Sequence, residues 1–110
     1  LPISVAIYGS NQVAAEGILT ANVNLNVLGS DPTQNVLAVG FDAGATIKTA
    51  VRDGIMLGAV TQAPMEMGRV TVETLTKIAD NETVSDIATP CYWYHAQNMD
   101  EDKIAPNLYD

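Results

Sequence analysis

A chain of 110 residues, 47% of them hydrophobic, has the size of one small domain and too much apolar character for a disordered segment. Its net charge of −8, from 13 acidic against 5 basic residues, disfavours nucleic acid and anionic membrane surfaces. Both need clustered Lys and Arg, and here Lys48, Arg52, Arg69, Lys77 and Lys103 are scattered. No apolar run approaches the ~18 residues of a membrane-spanning helix. Cys91 is the single cysteine, so no internal disulfide or cysteine-based metal site can form, and it reads as a small buried apolar residue.

The chain begins Leu-Pro, with neither an initiator Met nor a basic-plus-apolar leader, and so reads as a mature or excised piece of something longer. The first apolar run, Ile3 to Tyr8, predicts a strand. A helix is predicted over about Gln12 to Ala21, with Ser10 or Asn11 near its N-cap and Val13, Gly17, Ile18, Ala21 and Leu25 on its apolar side. Gly17 in that pattern suggests close packing on a sheet. Asn22 to Gln34 reads as a loop, with Gly29 and Pro32 as breakers. Val36 to Phe41 forms the second strand, and Thr46 to Asp53 a short helix with Ile47, Ala50 and Val51 inward. Gly54 follows where a left-handed helix terminus is expected.

Met56 to Thr61 predicts the third strand. Pro64 stands at a plausible first helical position, where its missing N–H costs little. Met67, Val70, Thr74, Leu75 and Ile78 then mark one face of a long helix reaching about Ala79, with Glu73 and Lys77 as a favourable four-residue pair. Cys91 to Tyr94 reads as a last strand, and Asn98 onward as an acidic tail. Strands alternating with helices imply an α/β fold with a parallel sheet of about three to four strands, flanked by helices.

Each of the three early strands ends near a polar side chain: Asn11, Asp42 and Gln62. Parallel sheets bind ligands outside the carboxyl ends of their strands. Two amides and a carboxylate there suit a polar, uncharged molecule, because a hydroxyl both donates and accepts. No catalytic constellation accompanies them. His95 is the single histidine with no Ser or Cys placed beside it, and Asp80, Glu82 and Asp86 lack the glycine and terminal glutamate of a calcium loop. A phosphoacceptor role for Asp42 would need a neighbouring acidic pair and a lysine at another strand end. Tyr92, Trp93 and Tyr94 could stack on a sugar, but read better as core residues with polar tips.

Three segments, Ala6-Ile-Tyr-Gly-Ser-Asn-Gln12, Val39-Gly-Phe-Asp-Ala-Gly44 and Val60-Thr-Gln-Ala-Pro-Met-Glu-Met-Gly68, together resemble the C-terminal part of periplasmic-type sugar-binding proteins. These are the substrate-binding subunits of ABC importers, of the ribose- and galactose-binding class. The tail from Asn98-Met-Asp to Ile104-Ala-Pro-Asn-Leu-Tyr109 is similar to theirs as well. The resemblance implies a type I periplasmic-binding-protein lobe, of which residues 1–110 form one partial domain. It implies an extracytoplasmic protein, in the periplasm or lipid-anchored at the cell surface, that closes two lobes around a monosaccharide and delivers it to a membrane permease. No catalysis, cofactor or metal is implied. By the same resemblance Asn11, Asp42 and Gln62 match the Asn, Asp and Gln that contact the sugar.

The chain departs from the family in lacking the N-terminal lobe and the first strands of the C-terminal one. In the family the helix after the glutamine crossover packs on the other lobe. The Met67 to Ile78 face therefore wants a cover, which predicts a homodimer, a complex with the missing lobe, or a trimmed fragment. A second reading is the effector-binding domain of a lac-repressor-type transcription regulator, which shares the lobes and the Gly-Phe-Asp segment.

Overall fold

The computed structural model describes residues 5–109. Four strands, β1 (Ala6–Tyr8), β2 (Leu37–Phe41), β3 (Gly58–Gln62) and β4 (Cys91–Tyr94), form one sheet in the order β1-β2-β3-β4. β1, β2 and β3 are parallel, with Tyr8 opposite Val39 and Phe41 opposite Val60. β4 runs antiparallel to β3, pairing Tyr94 with Ala59 and Cys91 with Gln62. The sheet is therefore mixed rather than purely parallel. Three helices accompany it, α1 (Gln12–Leu25), α2 (Ala45–Arg52) and α3 (Pro64–Ala79), and a short 3-10 turn spans Ala105–Asn107. Of the expected first strand, Ile3 and Ser4 lie outside the described residues.

One face of the sheet is closed. Ala38 and Gly40 of β2, Ala59 and Thr61 of β3, and Tyr94 of β4 point to it and are buried. α1 and α2 cover them with Ala15, Ile47, Ala50 and Val51, and Met56 fills the approach to β3. Most of these side chains are small, which brings helix and sheet close together: a methyl group on Gly40 would stand 3.3 Å from both the Ala15 Cβ and the Met56 sulfur. Gly9, in the turn from β1 into α1, is more constrained, since a Cβ there would fall 2.5 Å from the Ala15 nitrogen. The opposite face carries Tyr8, Leu37, Val39, Phe41, Val60 and Trp93, all half-buried or exposed.

α1 differs from its expected form in two ways. It continues through Leu25, because Asn26 then adopts a left-handed conformation (φ 49°) that ends it, and the Asn22 side chain accepts from the Val27 and Leu28 N–H groups beyond. Its inward side is Ala15, Ile18 and Leu19; Val13 and Leu25 are 78% and 65% exposed, and a Cβ at Gly17 would meet nothing within 4 Å. α2 buries the expected Ile47, Ala50 and Val51, and Gly54 (φ 74°) takes the left-handed position after it.

α3 begins at Pro64 and ends at Ala79 as predicted, but none of its residues is buried. With the turn at 80–81 and the irregular segment 82–90, it forms an arm that leaves the sheet after β3 and returns to β4. The molecule measures 60 × 26 × 20 Å, with a radius of gyration of 17.3 Å. A compact domain of this length would have a radius near ~13 Å. Arg69, rather than Lys77, is the cation that pairs with Glu73 on α3, and it also bridges to Glu66.

The acidic tail after Asn98 is anchored to the domain, although Asp100, Glu101 and Asp102 themselves are exposed. Met99 and Ile104 enter the core, and the Asn107 carbonyl accepts a hydrogen bond from the buried Thr61 hydroxyl at 2.8 Å. Cys91, expected buried, is exposed, because β4 is an edge strand and Cys91 shares its side of the sheet with Trp93.

Candidate functional site

The turns after β1, β2 and β3 meet at one edge of the sheet. Asn11 is the N-cap of α1: its backbone is extended and its Oδ1 accepts from the Ala14 N–H at 2.8 Å. The cap occupies the amide oxygen, and the Nδ2 donor is on the other arm of the same group. Asp42 follows the last residue of β2 and has a left-handed backbone, φ 72°. Aspartate tolerates that region better than most L-residues but still favours others, so it needs local support. Its N–H donates to the Val60 carbonyl at 2.7 Å.

The Asp42 carboxylate joins the other two turns. Oδ2 accepts from the Gln12 N–H at 3.3 Å, and Oδ1 accepts from Gln62 Nε2 at 3.1 Å. Gln62 is the last residue of β3, and its side chain is exposed. Of the three residues expected from sequence, Asp42 and Gln62 are thus in direct contact, and Asn11 reaches the cluster through its neighbour Gln12. The arrangement presents acceptor and donor groups side by side at the strand ends, with the Asp42 carboxylate at the centre. Such a carboxylate makes stronger, charge-assisted hydrogen bonds to hydroxyl donors.

Three more residues complete the cluster: Tyr94, read from sequence as a core residue with a polar tip, and Tyr109 and Gln12, to which the sequence assigns no role. The Tyr94 hydroxyl donates to the Asp42 carbonyl at 2.7 Å. The Tyr109 hydroxyl donates to Gln12 Oε1 at 3.1 Å and accepts from the Ala43 N–H at 3.4 Å. Gln12 in turn donates through Nε2 to Glu16 at 3.0 Å. The core placement of Tyr94 was expected; its partner lies 52 residues earlier in the chain, and those of Tyr109 lie 66 and 97 residues earlier. Burial, then the nearby Tyr109 and Asp42, raise the Tyr94 hydroxyl pKa well above its ordinary value, so it remains a donor.

His95 is away from this cluster, its Nδ1 within 2.7 Å of Gln97 Oε1. Among the described residues no group of three or more His, Cys, Asp and Glu side chains is placed to hold a metal ion. Nor is any helix among them long and apolar enough to cross a membrane. Trp93 is 44% exposed on the open face of the sheet, whereas Tyr94 is fully buried.

No protein-family model and no curated protein sequence matches the chain. Solved structures do. A protein of Brachyspira murdochii described as an ABC transporter, LacI family transcriptional regulator, aligns with a TM-score of 0.84 and 34% identity, over 96% of this chain and 35% of that one. An ABC transporter solute-binding protein of Agrobacterium vitis, with bound D-fucose, aligns with a TM-score of 0.83 and 30% identity, over 94% of this chain and 34% of that one. A second solute-binding protein of Agrobacterium vitis, bound with α-D-tagatopyranose, shares the fold with a TM-score of 0.85 at 18% identity, over 97% of this chain and 35% of its own. In both fold and sequence the chain is similar to the sugar-binding proteins of ABC transporters, of the type I periplasmic-binding-protein class, and it spans about a third of their length.

Proposed function

We propose that this chain is the C-terminal part of the substrate-binding component of an ABC sugar importer, and that Asn11, Asp42 and Gln62 contact a monosaccharide held between two lobes. The observation that carries the reading is the convergence of Asp42 and Gln62 at the carboxyl ends of adjacent parallel strands, 3.1 Å apart. A carboxylate and an amide that already satisfy one another can exchange that bond for hydroxyls of an incoming sugar at little net cost. A ligand lacking those hydroxyls would leave both groups unpaired once the lobes exclude water, and that provides selectivity. The protein's work is binding rather than catalysis. Sugar stabilises the closed arrangement because it has contacts there that the open one lacks, and the closed form is what a membrane permease reads. An extracytoplasmic location follows from that role.

The exposed face of α3 supports a covered arm in the complete assembly. Met67, Leu75 and Ile78 are 39%, 60% and 50% exposed. An apolar helix face of this kind is where another lobe or a second copy would pack. The effector domain of a lac-repressor-type regulator is the second reading, kept because the Brachyspira murdochii protein carries both descriptions.

The site is tested by replacing Asp42 in the complete protein. Asp42→Ala is expected to weaken sugar binding by about 2 kcal/mol or more, as for a buried charged hydrogen-bonding partner. Calorimetric titration with D-fucose, D-arabinose and D-tagatose reads it directly, and unchanged affinity for a sugar that binds the parent would remove Asp42 from the site.

A further inference from the structure

We infer that Tyr94 and Tyr109 are positioning residues for Asp42, holding the peptide between Asp42 and Ala43 at both of its polar ends. The inference rests on the reading of Asp42 as a sugar ligand, and adds what keeps that carboxylate in place. The backbone dihedrals φ and ψ set the direction of the Asp42 Cα–Cβ bond, from which the carboxylate reaches Gln12 and Gln62, and the peptide on each side of the residue is anchored. The peptide before the residue is fixed by the Asp42 N–H, which donates to the Val60 carbonyl at 2.7 Å. The peptide after it is fixed by the Tyr94 hydroxyl on the Asp42 carbonyl, at 2.7 Å, and by the Tyr109 hydroxyl near the Ala43 N–H, at 3.4 Å.

The anchoring matters because of the conformation it holds. Asp42 has φ 72°, in the left-handed region, where an aspartate remains only if its surroundings dictate it. Tyr94 has no exposed surface, and its buried hydroxyl is satisfied by the Asp42 carbonyl. Tyr109 adds a second link by donating to the Gln12 side chain, while the Gln12 N–H donates to the Asp42 carboxylate itself. The clamp therefore runs from β4 and the C-terminal segment to the turn after β2, and back through the start of α1. A buried tyrosine that merely satisfies its hydroxyl on the nearest carbonyl would show the same 2.7 Å bond. The two accounts differ in what removal of the hydroxyl does to ligand and to the Asp42 backbone.

The complete protein is titrated by calorimetry with D-fucose, D-arabinose and D-tagatose, comparing the parent with Tyr94→Phe, Tyr109→Phe, Asp42→Ala and the Tyr94→Phe/Asp42→Ala double variant. In parallel, the backbone and Cβ carbon shifts of residue 42 are followed by NMR in the ligand-free parent and tyrosine variants. Tyr94→Phe should weaken binding about tenfold, the scale of one lost hydrogen bond. Tyr109→Phe should have a smaller effect of the same sign. In the Asp42→Ala background the tyrosine change should add nothing, and in Tyr94→Phe the residue 42 shifts should leave the left-handed pattern. Unchanged affinity in Tyr94→Phe, or an equal loss with and without Asp42, would overturn the inference. If none of the sugars binds the parent, or Asp42→Ala binds as the parent does, the ligand reading fails separately. The residue 42 shifts then decide the clamp alone: moved shifts uphold it, and unmoved shifts overturn it.

Discussion

The α1/α2 layer and the α3 arm both carry apolar residues along their helices, yet they end up in opposite conditions. Ile47, Ala50 and Val51 of α2 are buried against the sheet. α3 is twice as long, has Met67, Val72, Leu75 and Ile78 along it, and buries none of its residues. An amphipathic helix is stabilised mainly by what its apolar side packs against, and much less by intrinsic propensity. The layer finds its partner within the chain. The arm's partner, on the proposed reading, is another lobe or a second copy.

Replacing apolar residues on the two sides gives the largest contrast. Ile47 is fully buried, and Ile47→Ala should cost about 2–5 kcal/mol. Leu75 is 60% exposed, and Leu75→Ala should stay within about 0.5 kcal/mol for the isolated chain. Urea unfolding of both variants checks the pair. Equal costs would mean that the arm is packed in solution, and concentration dependence of the Leu75→Ala effect would identify a second copy as the cover.

The same contrast explains which parts of the fold could be read in advance. The parallel strands, α2 and the bounds of α3 carry strong local signals: continuous apolar runs, Gly54 after α2 and Pro64 at the start of α3. The inward side of α1 was legible only at Ile18. Hydrophobicity ranks Val13 and Leu25 above Ala15, but close approach of helix and sheet favours the small residue, and the larger ones stay outside. The direction of β4 has no local signature, since it depends on how the arm returns. Met99 and Ile104 were hidden among acidic neighbours, and only the completed core shows that they fill it. At the candidate site, Asp42 and Gln62 were visible as polar residues at strand ends. Tyr94 was legible as a core residue, but the hydrogen bonds of Tyr94 and Tyr109 were not, because their partners are distant in sequence and are backbone groups or another side chain.

Asn11 offers a smaller and sharper effect, because its cap and its proposed ligand contact use different parts of the side chain. Asn11→Ala removes the bond to the Ala14 N–H and should destabilise by about 1 kcal/mol. Asn11→Asp keeps an oxygen for the cap and removes the amide donor. If Asn11 contacts sugar through Nδ2, the aspartate variant should unfold like the parent but bind more weakly. Parallel urea unfolding and calorimetry separate the roles, and an aspartate variant with unchanged affinity would leave Asn11 as a cap alone.

The smallest expected effect is on the arm's charged side, and its size is itself informative. Arg69 bridges Glu66 and Glu73 on the exposed surface of α3, and the hydrogen bond from Arg69 holds the Glu66 carboxyl below its ordinary pKa. A carboxyl whose pKa is lowered by folding binds fewer protons folded than unfolded. Its stabilisation is therefore complete above the ordinary glutamate value of about 4.3, and fades as pH falls through the lowered folded value. All three side chains are well exposed, at 54% for Arg69 and 38% and 55% for Glu66 and Glu73, so solvent screens the bridges. Glu66→Gln should leave the urea midpoint at pH 7 unchanged. NMR titration of the Glu66 side-chain carboxyl should still show the lowered pKa. A midpoint shift as large as that of Asn11→Ala would show that α3 belongs to the same cooperative unit as the sheet, and would break the division between layer and arm.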